Sequence, residues 1–153
     1  MCSKVTVTRE IAASPQRVWA MVSDLDRMGE WSPENDGGRW IRGATGPEVG
    51  AVFEGRNHKG WRRWRTRVTV IASDQPRRFA FRLQIGPLGG CDWSYDIEST
   101  ERGCRVTESW FDHRTWFLKK VGWVASGVAD RASHNRATMD ATLNRLAEAA
   151  ERG

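Results

Sequence analysis

The residues order themselves as an α+β domain of one strand, two short helices, six further strands and a long closing helix. Three patterns predict this. Residues 4–12 and then 37–113 alternate apolar and polar side chains, the period of a half-buried strand. Gly, Pro and Asp punctuate the second stretch at hairpin spacing, which implies an antiparallel meander. Residues 128–150 instead carry their apolar side chains at helical spacing.

Taken in order, the first strand puts Val5, Val7, Arg9 and Ile11 on one face. The helix after it has Ser14 as N-cap, Pro15 at the first helical position, and Val18, Val22 and Leu25 on one side. A second helical piece over 26–31 ends before Pro33. Six strands follow over 37–44, 50–57, 61–72, 77–85, 91–99 and 104–113. The closing helix aligns Val128, Ala132, Asn135, Met139, Thr142, Leu143, Leu146 and Ala150 on its core-facing stripe.

Alternation also sets a register, because a one-residue slip would turn every side chain to the other face. If the last two strands form a hairpin across Thr100–Gly103, then Ile97 lies opposite Val106, Tyr95 opposite Glu108 and Trp93 opposite Trp110, all on one face. That arrangement places a carboxylate, Glu108, among aromatic rings.

At 153 residues the chain has the size of one domain, read as 1–153. Its opening residues show no basic leader followed by an apolar run, and no apolar stretch has membrane-spanning length, so a soluble, cytoplasmic protein is expected. Cys2, Cys91 and Cys104 give an odd count without CxxC spacing, which argues against a disulfide framework and against zinc. The histidines, His58, His113 and His134, fall into no paired spacing, so neither metal nor cofactor is expected. His134 is read as lying on a solvated helix face.

A net charge of +5 comes almost entirely from arginine, lysine occurring only at Lys4, Lys59, Lys119 and Lys120. The outward stripe Arg63, Arg65 and Arg67, with Arg78 and Arg82 on the next strand, reads as a solvated sheet face. An RNA-binding face would add exposed aromatics for base stacking, and only Trp61 qualifies, so no nucleic-acid partner is expected. Nine tryptophans point instead to an unusually aromatic interior.

The segments VTREIAASPQRVWAMVSDLDRMGEWSPE, GAVFEGRN with the tryptophan of RRWRTRV, FAF, the WSY strand, CRVTESW and HNRATMDATLNRLAEAAE carry a resemblance over nearly the whole chain. In order and spacing the chain resembles the polyketide cyclase/dehydrase and lipid-transport group of the START-like (SRPBCC) superfamily. The resemblance implies a helix-grip fold, in which a curved antiparallel seven-stranded sheet wraps around the long C-terminal helix. It also implies a hydrophobic cavity between sheet and helix for lipids, sterols or polyketides, but not one reaction, since the same shell hosts carriers, sensors, cyclases and dehydratases.

The expected ligand-binding set is Phe53, Asn57, Trp64, Thr66, Phe81, Leu83, Trp93, Tyr95, Glu108, Trp110, Asn135 and Met139, with Val68 and Phe79 also aimed inward. Asn57, at the end of its strand, could equally cap a turn. An ionised carboxylate buried without a partner is costly, so Glu108 needs a cation, a hydrogen-bonding neighbour or a use for its proton. The family's strand order sets the first strand beside the last, which makes Arg9 its natural partner.

Glu108, Tyr95 and Arg9 are accordingly the catalytic candidates if the protein is an enzyme, with Glu108 or Tyr95 moving a proton and Arg9 or Asn57 steadying an enolate. The first functional reading is nevertheless a binding protein for a hydrophobic or polycyclic molecule, lipid or polyketide-like. A metal-free cyclase, aromatase or dehydratase is the alternative, and a regulatory or interaction protein the third. Residues 114–127 combine Trp116, Phe117 and Trp123 with Lys119 and Lys120. They suit a gate over the cavity, a peripheral membrane contact, half of a homodimer interface, or packing against the protein itself.

Overall fold

The computed structural model describes residues 3–117, 119–120 and 131–152. Seven strands form one antiparallel sheet: β1 (Ser3–Ile11), β2 (Asn35–Ile41), β3 (Val52–Lys59), β4 (Arg62–Asp74), β5 (Arg78–Gln84), β6 (Gly90–Thr100) and β7 (Gly103–Asp112). The strands run β1-β7-β6-β5-β4-β3-β2, so the chain's first strand sits beside its last, as the resemblance implies. Helix α1 (Pro15–Ser23) and a 3-10 turn over Leu25–Glu30 fill the connection from β1 to β2, and α2 (Arg131–Arg152) closes the fold.

Local chemistry explains the boundaries. The Ser14 hydroxyl accepts from the Arg17 amide and Pro15 occupies the first turn, so α1 begins where its cap places it. Val18 and Val22 are fully buried on its inner side. Gly38 lets β2 bulge onto β3, since a Cβ there would fall 2.1 Å from the Glu54 carbonyl oxygen. The β6–β7 register pairs Ile97 with Val106, Tyr95 with Glu108 and Trp93 with Trp110, as alternation predicts. The ladder continues to Thr100 and Gly103, which shortens the turn to Glu101 and Arg102.

Helix α2 lies on the inner face of the sheet, with Asn135, Met139, Thr142, Leu143, Leu146 and Ala150 all buried. Val128, expected at the head of its stripe, lies outside the described residues. Phe79 shows the ordinary outcome for an inward strand residue: it is fully buried, and Trp19 meets its ring edge-on at 6.2 Å. The Trp19 indole N–H donates to the Arg78 carbonyl at 3.0 Å, which ties α1 to β5. Among the described residues no helix is long and apolar enough to cross a membrane.

Candidate functional site

Between the sheet and α2 the structure leaves a cavity of about 840 Å³. The inner faces of β3 to β7 supply one wall and α2 the other, so the site follows from strand alternation plus one helical stripe. The β4–β5 ladder begins at Val68 opposite Leu83, so residues 62–67 of β4 run past the end of β5. Trp64 and Thr66 line the cavity from that extension, while Phe81, Leu83, Trp93 and Trp110 line it from the paired part of the sheet.

Every residue of the expected ligand-binding set borders this cavity, including Phe53 on β3 and Asn135 and Met139 on α2. Phe79 does not, for the packing reason given above. Residues that sequence reasoning passed over also line it: Leu25 and Met28 from the 3-10 turn, Glu34 just before β2, Asn35 at its start, and Thr138 on α2. The spacing of Thr138 from Asn135, three residues along a helix, was the available signal. Nothing local marks Glu34 and Asn35.

Two polar groups make connections other than those expected. Asn57 is no turn cap: it lies within β3 and donates from Nδ2 to Thr66 Oγ1 on β4 at 3.2 Å. His134 is not simply solvated. Its Nε2 stands 2.8 Å from Glu34 Oε2, joining the start of α2 to the segment before β2.

Glu108 and Tyr95 form the buried polar pair at the sheet. Glu108 is 2% exposed, and its Oε2 accepts a hydrogen bond from the Tyr95 hydroxyl at 3.2 Å. Burial pushes the Glu108 carboxyl up to about 8, the Tyr95 bond opposing this and the charge of Asp140 adding to it. Burial, with the adjacent carboxyl, likewise raises the Tyr95 hydroxyl well above its ordinary value. Glu108 is therefore held mostly in its protonated form at pH 7. Its Oε1 and the Asn135 Nδ2 are both buried without a hydrogen-bond partner.

Arg9 is not the partner of Glu108. Register sets Arg9 opposite Val106 and Val7 opposite Glu108, and the Arg9 guanidinium donates to Asn144 Oδ1 on α2. The helix backs β1 closely enough for a long side chain to reach it, so the arginine serves the sheet–helix contact and not the carboxyl. Other cations near the cavity are already engaged. Arg114 holds Asp112 through two bonds of 2.8 and 3.0 Å, and Arg67 holds Glu54 at 3.1 Å.

Of the expected gate residues, Trp116 and Phe117 are 71% and 58% exposed, and Lys120 lies 4.8 Å from the Trp116 ring centre. Trp123 lies outside the described residues. Among the described residues no group of three or more His, Cys, Asp or Glu could hold a metal ion.

A seven-stranded antiparallel sheet gripping a C-terminal helix defines a helix-grip protein. The family model described as "Polyketide cyclase / dehydrase and lipid transport" matches residues 3–151, and the chain belongs to that family. Among solved structures, the Polyketide_cyc-like protein Cgl2372 from Corynebacterium glutamicum is 31% identical with a TM-score of 0.60, over 97% of this chain and 89% of that one. The di-domain ARO/CYC StfQ of the steffimycin biosynthetic pathway is 13% identical with a TM-score of 0.75, over 99% of this chain and 51% of that one. Major latex-like protein 151 from Panax ginseng is 14% identical with a TM-score of 0.72, over 97% of both chains. The last two likenesses concern the fold alone. No curated protein matches the chain.

Proposed function

We propose that the protein binds a hydrophobic or polycyclic small molecule in the cavity between sheet and α2. The observation that supports this is the cavity of about 840 Å³, whose surface is mostly apolar, with Phe53, Trp64, Phe81, Trp93 and Trp110 among its walls. Ligand sites of soluble proteins have this size and this balance of apolar wall to placed polar atoms. Family membership supports the same class of ligand. Titration with phenylnaphthylamine, an uncharged apolar fluorophore, should saturate at one molecule per chain and quench tryptophan emission through Trp93 and Trp110. Linear, unsaturable uptake with unquenched emission would defeat the reading.

One observation favours a second reading, a cyclase- or dehydratase-type enzyme. Glu108 is a proton-bearing carboxyl bordering the cavity, supported by Tyr95, and a neutral acid can protonate a carbonyl oxygen as an enol forms. In this reading Glu108 and Tyr95 keep their roles, while Arg9, engaged by Asn144, drops out of the catalytic set. Deuterium exchange at the carbon beside a bound ketone, in D2O, would support it, and retention of the protons would leave binding alone.

A further inference from the structure

We propose that the ligand's buried end is an uncharged hydrogen-bond acceptor, a ring ketone or quinone carbonyl, held by the Glu108 carboxyl and the Asn135 amide; this rests on the cavity-binding reading. Two atoms carry it. Glu108 Oε1, from the sheet, and Asn135 Nδ2, from the helix, belong to residues that are each 2% exposed, border the same cavity and lack a partner for these atoms. Buried polar atoms are normally satisfied, and a pair left over on opposite walls of one cavity marks where a ligand's polar atom is expected.

Their chemistry selects the atom. The Asn135 Nδ2 can only donate. Oε2 of Glu108 is taken up as an acceptor for the Tyr95 hydroxyl, so the carboxyl proton resides on Oε1, which makes Oε1 a donor as well. A carbonyl oxygen has two lone pairs and can accept from both. A hydroxyl that accepts from both leaves its own proton over, one that donates to Oε1 leaves the carboxyl proton over, and a hydrocarbon satisfies neither.

A carboxylate or phosphate fits poorly, because the charges around the site are the wrong ones. Glu108 feels the negative charge of Asp140 from α2. Arg114, which borders the cavity, is held by Asp112 at 2.8 Å, and the outward Arg67 and Arg65 of β4 are held by Glu54 at 3.1 and 3.9 Å. His134 at the start of α2 is held by Glu34. An anionic head entering this end would lose its hydration and gain no free cation.

Displacement of phenylnaphthylamine by three matched tricyclic compounds, fluorene, fluorenone and fluorenecarboxylate, at about pH 6 tests the inference. Fluorenone should compete at roughly tenfold lower concentration than fluorene, the value of one well-made hydrogen bond, with fluorenecarboxylate the weakest. Glu108→Leu should abolish the preference for fluorenone over fluorene. The infrared carbonyl stretch of fluorenone bound to the unaltered protein should lie below its position in hexane, a readout that holds even if the leucine variant does not fold. Fluorenone no tighter than fluorene, the carboxylate binding best, or an unshifted stretch would each overturn the inference and leave the cavity reading standing. Failure of phenylnaphthylamine itself to bind would remove that reading and the inference with it.

Discussion

Glu54 and Glu108 stand on opposite faces of the same sheet and have opposite electrostatic fates. Glu54, on the outer face of β3, faces Arg67, Arg39 and Arg65 at 3.1, 3.8 and 3.9 Å, and the hydrogen bond from Arg67 holds its carboxyl below the ordinary value. Glu108, on the inner face of β7, has one tyrosine hydroxyl and, among the described residues, no cation, and burial lifts it to about 8. The same contrast runs along β4, where Arg63, Arg65 and Arg67 turn outward and Trp64, Thr66 and Val68 turn inward. Alternation alone therefore builds two environments a side chain apart. Outside, solvent and opposite charges keep carboxylates ionised; inside, burial favours the protonated form.

The largest expected effect breaks the comparison from the inside. An unfolded chain holds the Glu108 proton with the ordinary value of 4.5, the folded protein with a value of about 8. Below about pH 4.5 both states keep the proton and the carboxyl costs nothing. As pH rises toward 8 only the unfolded state releases it, so the folded state loses stability, and above 8 the loss levels off. Glu108→Gln keeps an acceptor for Tyr95 and removes the titration. Its advantage in urea unfolding should grow across this window to the order of 3 kcal/mol at pH 7. Parallel stability curves for the two proteins would mean that Glu108 is ionised and paired.

A smaller effect sharpens the comparison from the outside. Glu54→Gln removes the carboxylate shared by Arg39, Arg65 and Arg67, on a face where Arg56 and Arg65 already lie directly opposite one another. Exposed ion pairs are worth little and are screened by salt. The thermal midpoint should fall slightly at low ionic strength and recover as salt is added. A large, salt-independent loss would place Glu54 in the same class as the buried carboxyl.

The smallest effect on stability is expected beyond the sheet. We propose that Trp116 and Phe117, both well exposed, act as a gate or contact surface for ligand entry. Replacing both by alanine should move the thermal midpoint by no more than about 2 °C, as for other exposed sites, while changing the on- and off-rates of phenylnaphthylamine in stopped flow. A large drop in midpoint with unchanged rates would make them packing residues.

The sequence by itself determined whatever depends on period. Two-residue alternation set which residues of β3 to β7 face inward and paired Tyr95 with Glu108 and Trp93 with Trp110. Helical spacing set Asn135 and Met139 on the inner side of α2. Only the tertiary structure decided where long or flexible side chains end. Arg9 had the right face and the neighbouring strand for Glu108, yet the nearness of α2 to β1 gave it to Asn144. Glu34 and His134, 100 residues apart, meet because the β2 end of the sheet and the head of α2 converge. Backbone geometry repeats every few residues and can be read locally, whereas the partner a charged group finds depends on which elements pack within reach, and it is that choice which left Glu108 neutral at the edge of an apolar cavity.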